Sequence, residues 1–256
     1  MSPSSPRIIF YNAEVSRFGH RVWLALEQIN ANYTVHPVDL FVPRPEWYTR
    51  NLSPTGLVPA IAFDVPEGCS PADLPASTIR MNESLPILEF LADALPAANL
   101  FPADIVARAR VRAFISRFEA GFAKAFEAVL FRGEHPQALL DALAQYQDEL
   151  VGVQRRFADE PTGSEGGFVF GEWSMAEIAA VPFLVRALMC LEHDIGKYPA
   201  GEGRKVWEEY ASSEKFARMR KYMVDVSARP ALKVTWKVEE QLPIWSQFPI
   251  FKRDSA

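Results

Sequence analysis

Cysteine is nearly absent. The 256-residue chain has two, Cys69 and Cys190, far apart and without disulfide or ligand-pair spacing, which points to a reducing, intracellular compartment. Histidine is scarce too: His20, His36, His135 and His193 are scattered, so no metal site is expected. Positive charge shows no excess. The formal net charge is −5 at pH 7, no basic stripe is visible, and nucleic acid is not expected as a partner. Long hydrophobic runs are missing as well. The most apolar stretch, IAAVPFLVRALMCL, is interrupted by Arg186 and is too short to cross a bilayer. The start, MSPSSPRIIFYNAEV, lacks the apolar core of a signal peptide. A cytoplasmic protein with no membrane partner is expected.

What is present is ordinary globular composition, 49% hydrophobic and 23% charged, enough for one large domain or two modest ones. The first hundred residues read as mixed α/β. RIIFY (7–11) is a strand candidate, followed by a helix in which Phe18, Val22, Ala25 and Ile29 share one face. YTVHPVDL (33–40), GLVPAIAFDV (56–65) and TIRM (78–81) are further strand candidates, with a loop PEGCSPADLPAS before the last. NESLPILEFLADALP (82–96) reads as a helix. Beyond 104 the strand signals stop. One long helix is expected over ADIVARARVRAFISRFEAGFAKAFEAVLF and another over PQALLDALAQYQDELVGVQRRFA. A Gly/Ser/Glu loop (161–167), a buried helix from SMAEIAAVPFLVRALMCLEH and one or two helices in SSEKFARMRKYMVDVSARPALKVTW follow. The expected organisation is an α/β domain at 1–96, a linker at 97–103 and an all-helical domain at 104–256.

Several short motifs admit two readings. Ser16, at the turn from strand to helix in EVSRFGHRVWLALEQ, suits a helix cap, a nucleophile, or a donor to something bound there. A nucleophile needs an adjacent base, and His20, one turn on, has no third group to orient it. Val58-Pro59 is either an edge-strand proline or a cis bond that leaves the Val58 amide and carbonyl unpaired, ready for an extended peptide. Glu83-Ser84 is either a capping pair or a holder for an amino-acid headgroup, with the hydroxyl for its carboxylate and Glu83 for its ammonium. Ser174 and Glu177 have capping-box spacing, a folding signal. Phe114, Phe118, Phe122 and Phe126 form a stripe at i+4 that reads as core, with an apolar pocket as the alternative. Trp236 and Trp245 add aromatics near the C-terminus.

Taken in order, Ser16 at the strand-to-helix turn, GLVPAI, NESLPILEFLADALP, SMAEIAAVPFL and RPAL make the chain resemble a cytosolic glutathione transferase. YNAEVSRFGHRV, RPEWYTRN and GLVP look most like the omega class in its fungal form. The resemblance implies a thioredoxin-like domain followed by an all-helical domain, with glutathione as cosubstrate. It assigns the cysteinyl backbone to Leu57-Val58 and the γ-glutamyl end to Glu83 and Ser84. Phe18 flanks the tripeptide and Arg44 meets its glycyl end. Phe126, Trp236 and Trp245 wall an apolar second-substrate site, and a homodimer is implied. Omega proteins typically carry cysteine in a C-P-[FY]-A-x-R turn, where this chain has S-R-F-G-H-R. A serine cannot form their mixed disulfide, and Cys69 is not placed by motif to substitute. As a donor it is adequate: lowering a thiol pKa of about 8.5 by two units takes about 2.7 kcal/mol. A hydrogen bond to a charged group supplies roughly 1.5–3 kcal/mol and the helix N-terminus roughly 0.3–1. The expected function is attack of glutathione thiolate on hydrophobic, aromatic electrophiles or peroxides. The alternative is a binding protein for aromatic molecules or glutathione adducts.

Overall fold

The computed structural model describes residues 6–157, 167–251 and 253; residues 161–166 of the expected Gly/Ser/Glu loop fall outside them. The chain divides into two compact units between Leu100 and Phe101.

In the first unit, β1 (Ile8–Asn12) leads through α1 (Arg17–Gln28) to β2 (Tyr33–Pro37), which pairs with it in parallel. A short α2 (Glu46–Asn51) precedes β3 (Ala60–Phe63), β4 (Ile79–Asn82) and α3 (Ser84–Ala94). The sheet order is β2-β1-β3-β4, with β3 antiparallel to both its neighbours. The central strands β1 and β3 are buried on both faces, so their sequences are continuous apolar runs rather than alternations. On one face α3 lies against β3 and β4 and packs on α1. The other packs Ile9, Tyr11, Ala60 and Ala62 against Tyr48 and Leu52, under a loop that brings in Cys69 and Leu74. Arg80 pins that loop through the Leu74 and Pro75 carbonyls, each at 2.9 Å.

Two strands are shorter than their sequence patterns. Residues 56–59 stay outside β3 because Gly56 adopts φ +70° and the Val58-Pro59 bond is cis. β2 ends at Pro37. Helix α2 escaped the sequence pattern, since it spans under two turns and buries only Tyr48.

The second unit is all-helical among the described residues. The single long helix expected from 103 onward is broken. Gly121 has φ −103° and ψ −88°, outside the helical region, and separates α4 (Ile105–Ala120) from α5 (Phe122–Arg132). The phenylalanine stripe nevertheless runs through the break: Phe114, Phe118, Phe122 and Phe126 are all buried. Phe118 stacks on Phe122 with ring centroids 5.4 Å apart, and both Phe118 and Phe126 meet Phe183 edge-on. The stripe is core. α6 (Gln137–Phe157) and α7 (Met175–Glu192) follow, and α7 is buried nearly all round, as its composition requires. Beyond it come α8 (Glu202–Ser212), α9 (Ala217–Ser227), α10 (Pro230–Thr235) and α11 (Val238–Ser246). Among the described residues no helix is long and apolar enough to cross a membrane. A thioredoxin-like unit followed by an all-helical one is the architecture expected from the sequence.

Candidate functional site

The sheet register gathers three of the singled-out motifs. Tyr11, near the end of β1, pairs with Ala60, the first residue of β3, and Ala60 pairs with Asn82, the last of β4. Ser16 follows β1, Val58-Pro59 precedes β3 and Glu83-Ser84 follows β4, so all three emerge at one end of the sheet. Strands lie about 4.8 Å apart, which makes the span from β1 across β3 to β4 about 10 Å. An extended tripeptide is also about 10 Å long.

Ser16 caps α1. Its Oγ accepts the Gly19 N–H at 3.0 Å from an extended backbone, with φ −73° and ψ 118°. The hydroxyl proton has no acceptor among the described residues, and Ser16 is 9% exposed. His20 is buried against the Trp23 ring, at 6.5 Å between centroids; its backbone N–H donates to the Ser16 carbonyl at 2.8 Å, but its imidazole makes no hydrogen bond to the Ser16 hydroxyl. The nucleophile reading therefore has no base. The first turn of α1 contains no acidic residue. Instead the Arg17 and Arg21 guanidiniums lie 4.5 and 5.5 Å from the Phe18 ring centroid, adding positive charge to the positive end of the helix.

The Val58-Pro59 bond is cis, and neither the amide nor the carbonyl of Val58 has a partner among the described residues. The Leu57 carbonyl accepts the Tyr48 hydroxyl at 2.8 Å, while its side chain is exposed. Glu83 has φ +69° and ψ 125°, a conformation that costs a non-glycine residue roughly 1–3 kcal/mol and is typical of ligand clamps. Neither Glu83 nor Ser84 caps α3 by its side chain, so the capping-pair reading is not realised. Glu83 is exposed. Ser84 is buried and accepts Arg21 Nη1 at 3.3 Å. The Ser84 and Leu85 amides have no intrahelical acceptor, as at any helix start.

Arg44 is turned onto its own loop. Its Nε donates to the Gly56 carbonyl at 3.2 Å and its Nη1 to the carbonyls of Val42, at 2.7 Å, and Asp39. In the helical unit two residues of the expected apolar wall lie in the core. Phe126 and Trp245 are wholly buried, packed on Phe131, Phe183 and Phe251, because the aromatic stripe completes the core. Trp236 keeps part of its ring exposed, with the buried Arg186 guanidinium 4.7 Å from its centroid.

The description Glutathione S-transferase, N-terminal domain, fits residues 15–94. Glutathione transferase Omega 2S from Trametes versicolor, solved in complex with 2,4-dihydroxybenzophenone, is 37% identical with a TM-score of 0.81, over 93% of this chain and 97% of that one. The chain belongs to the glutathione transferase family. Glutathione transferase Omega 1C from the same fungus is 35% identical at a TM-score of 0.82, covering 94% of this chain and 95% of its own. Maleylacetoacetate isomerase of Rhizobium meliloti (strain 1021) is 28% identical over 199 residues, 70% of this chain and 81% of that protein.

Two residues beside the candidate site escaped sequence reasoning. Arg21 is a charge in the buried part of α1, where helical periodicity signals only apolar positions. Asn12, at the end of β1, is buried with an Oδ1 that has no partner among the described residues. That oxygen occupies the space a Cβ at Gly19 would fill. The one available signal was Gly19 itself, since glycine within a helix often marks a close approach.

Proposed function

We propose that this chain is a glutathione transferase that activates the glutathione thiol through Ser16, acting as a cytoplasmic homodimer. The observation that carries the reading is the half-committed Ser16 hydroxyl. Its lone pair holds the Gly19 amide and its proton is left to donate. A thiolate at the N-terminus of α1 accepts that proton as a hydrogen bond, and the helix dipole and Arg17 add favourable charge. The cysteinyl backbone of glutathione pairs with the Val58 amide and carbonyl as an added strand. The γ-glutamyl end meets Glu83, Ser84 and the free amides of α3, and Phe18 flanks the chain. Arg44 reaches the glycyl carboxylate only if it exchanges its loop carbonyls for it. The thiolate then attacks an apolar, aromatic electrophile or a peroxide. Within the helical unit, Trp236 keeps part of its ring exposed and is open to an aromatic ligand.

The test is a pH titration of thiolate absorbance for glutathione bound to wild-type protein and to Ser16→Ala. A thiol pKa below that of free glutathione, rising towards it in the variant, supports activation by Ser16. An unshifted pKa in both sinks it.

A second reading is a binding protein for aromatic molecules, and it is favoured by the neighbour solved with 2,4-dihydroxybenzophenone. Tight binding of that compound here, with negligible turnover across a panel of electrophiles, would select it.

A further inference from the structure

Arg21 is 1% exposed, within α1, yet it carries a permanent charge. Its Nη1 reaches across to α3 and donates to Ser84 Oγ at 3.3 Å, with the Phe18 ring on its flank. A serine hydroxyl has one proton and two lone pairs, whereas a guanidinium has donors only. The Arg21 contact therefore has one possible polarity. Ser84 must accept, and its own proton is turned away from the cation. Among the described residues nothing receives that proton.

We infer that Arg21 is a positioning residue that fixes Ser84 as a one-way donor, and so sets the site's preference for a ligand with a carboxylate at its γ-glutamyl end. The inference rests on the glutathione reading of the sheet end. A neutral partner at position 21 able both to donate and to accept, such as glutamine, leaves the hydroxyl free to reverse and removes the preference. Lysine, which also only donates, preserves it if its shorter head reaches Oγ. The cation contributes a second effect of the same sign, because it polarises the hydroxyl and favours an anion beside it.

The experiment compares calorimetric Kd values for glutathione and for 4-aminobutyryl-cysteinylglycine, which is glutathione without its γ-glutamyl carboxylate. Wild-type protein is expected to favour glutathione by about 10- to 100-fold, the range for a hydrogen bond to a charged group. In Ser84→Ala and Arg21→Gln the ratio falls to within about threefold of unity, and in Arg21→Lys most of it returns. In steady state KM for glutathione rises in step with Kd in Ser84→Ala and Arg21→Gln and recovers in Arg21→Lys, a pattern that a general loss of packing does not produce. A folded Arg21→Gln that keeps the wild-type ratio overturns the inference.

If Arg21→Gln does not fold, Ser84→Asp decides. A carboxylate there pairs with Arg21, so Ser84→Asp is expected to unfold at or above the temperature of Ser84→Ala while losing glutathione binding. Unfolding well below Ser84→Ala shows that the cation does not address position 84, and overturns the inference. Failure of the wild type to bind either peptide refutes the glutathione reading and this inference with it. Binding of both peptides equally refutes only the roles given to Ser84 and Arg21.

Discussion

Ser16 and Ser174 are both helix caps, and the difference between them separates a folding device from a candidate chemical one. The Ser174 Oγ accepts the Ala176 N–H at 3.2 Å and donates to Glu177 Oε2 at 3.1 Å. Glu177 in turn accepts the Ser174 N–H at 3.0 Å and the Val169 N–H at 2.7 Å. Every polar atom of that cap is used internally, deep in the helical unit. The Ser16 Oγ accepts one N–H and, among the described residues, leaves its proton without an acceptor. Closing a polar network rigidifies a core, whereas leaving one donor open at a helix N-terminus prepares a place for an anion. Ser84 repeats the open pattern, with Arg21 in place of the backbone donor.

The sharpest way to break this comparison is to delete both hydroxyls separately. Ser16→Ala and Ser174→Ala each lose a cap and are expected to cost about 0.5–2 kcal/mol of stability. Their activities should diverge. Ser16→Ala is expected to lower turnover by roughly 10²- to 10³-fold, the range for removing one donor to a developing anion, with glutathione affinity nearly retained. Ser174→Ala should leave turnover per folded molecule unchanged. Equal activity losses in the two variants would show that both serines are folding caps. Ser16→Cys sharpens the same contrast from the other side: it should create thiol-transferase activity, and a folded variant with none would weaken the omega assignment.

The closed cap has its own signature in pH. Burial raises the Glu177 carboxyl from 4.5 to about 7, although four hydrogen bonds oppose the rise. A folded-state pKa above the unfolded value means that protonation favours the fold. The contribution is therefore complete below pH 4.5 and is lost as pH climbs through 7, on the order of 3 kcal/mol in all. Denaturant unfolding of wild type at pH 5 and pH 8 should show this loss, and Glu177→Gln should lack it. Parallel pH slopes for the two proteins would remove Glu177 as the titrating group.

How much of this was legible in the sequence depended on the length of the signal. The buried helix α7 and the strands β1 and β3 declared themselves through apolar runs, and Ser174 with Glu177 through spacing alone. Glu83-Ser84 was legible as a motif, but that neither side chain caps α3 needed the backbone, where φ is +69° at Glu83. The four-residue phenylalanine period was visible, yet the break at Gly121 was not, because the stripe keeps its register across it. The burial of Phe126 and Trp245 was hidden for a related reason. Composition marks a ring as apolar without saying whether its neighbours will be protein or substrate. Arg21 was illegible because a buried cation runs against the periodicity that locates buried positions, and its partner lies 63 residues away.

The smallest expected effect concerns the space beside the open cap. A Cβ at Gly19 would collide with the buried Asn12 Oδ1 and come within 3.4 Å of the Ser16 Cβ. Overpacking of this kind costs about 1–3 kcal/mol, offset by the roughly 0.5–1 kcal/mol that alanine gains over glycine inside a helix. Gly19→Ala is therefore expected to lower stability by about 1 kcal/mol. In an Asn12→Ala background the obstructing oxygen is gone, and the same change should become neutral or stabilising, a reversal of sign that a double-mutant cycle in denaturant measures directly. The cycle also reports on Ser16, because the donor to its Oγ is the Gly19 amide. If Gly19→Ala displaces that amide, bound glutathione should show a raised thiol pKa in the single variant and recover in the double one. A sign that does not reverse would mean that Asn12 already yields to the methyl group, and that the first turn of α1 is held by Ser16 and the helix alone.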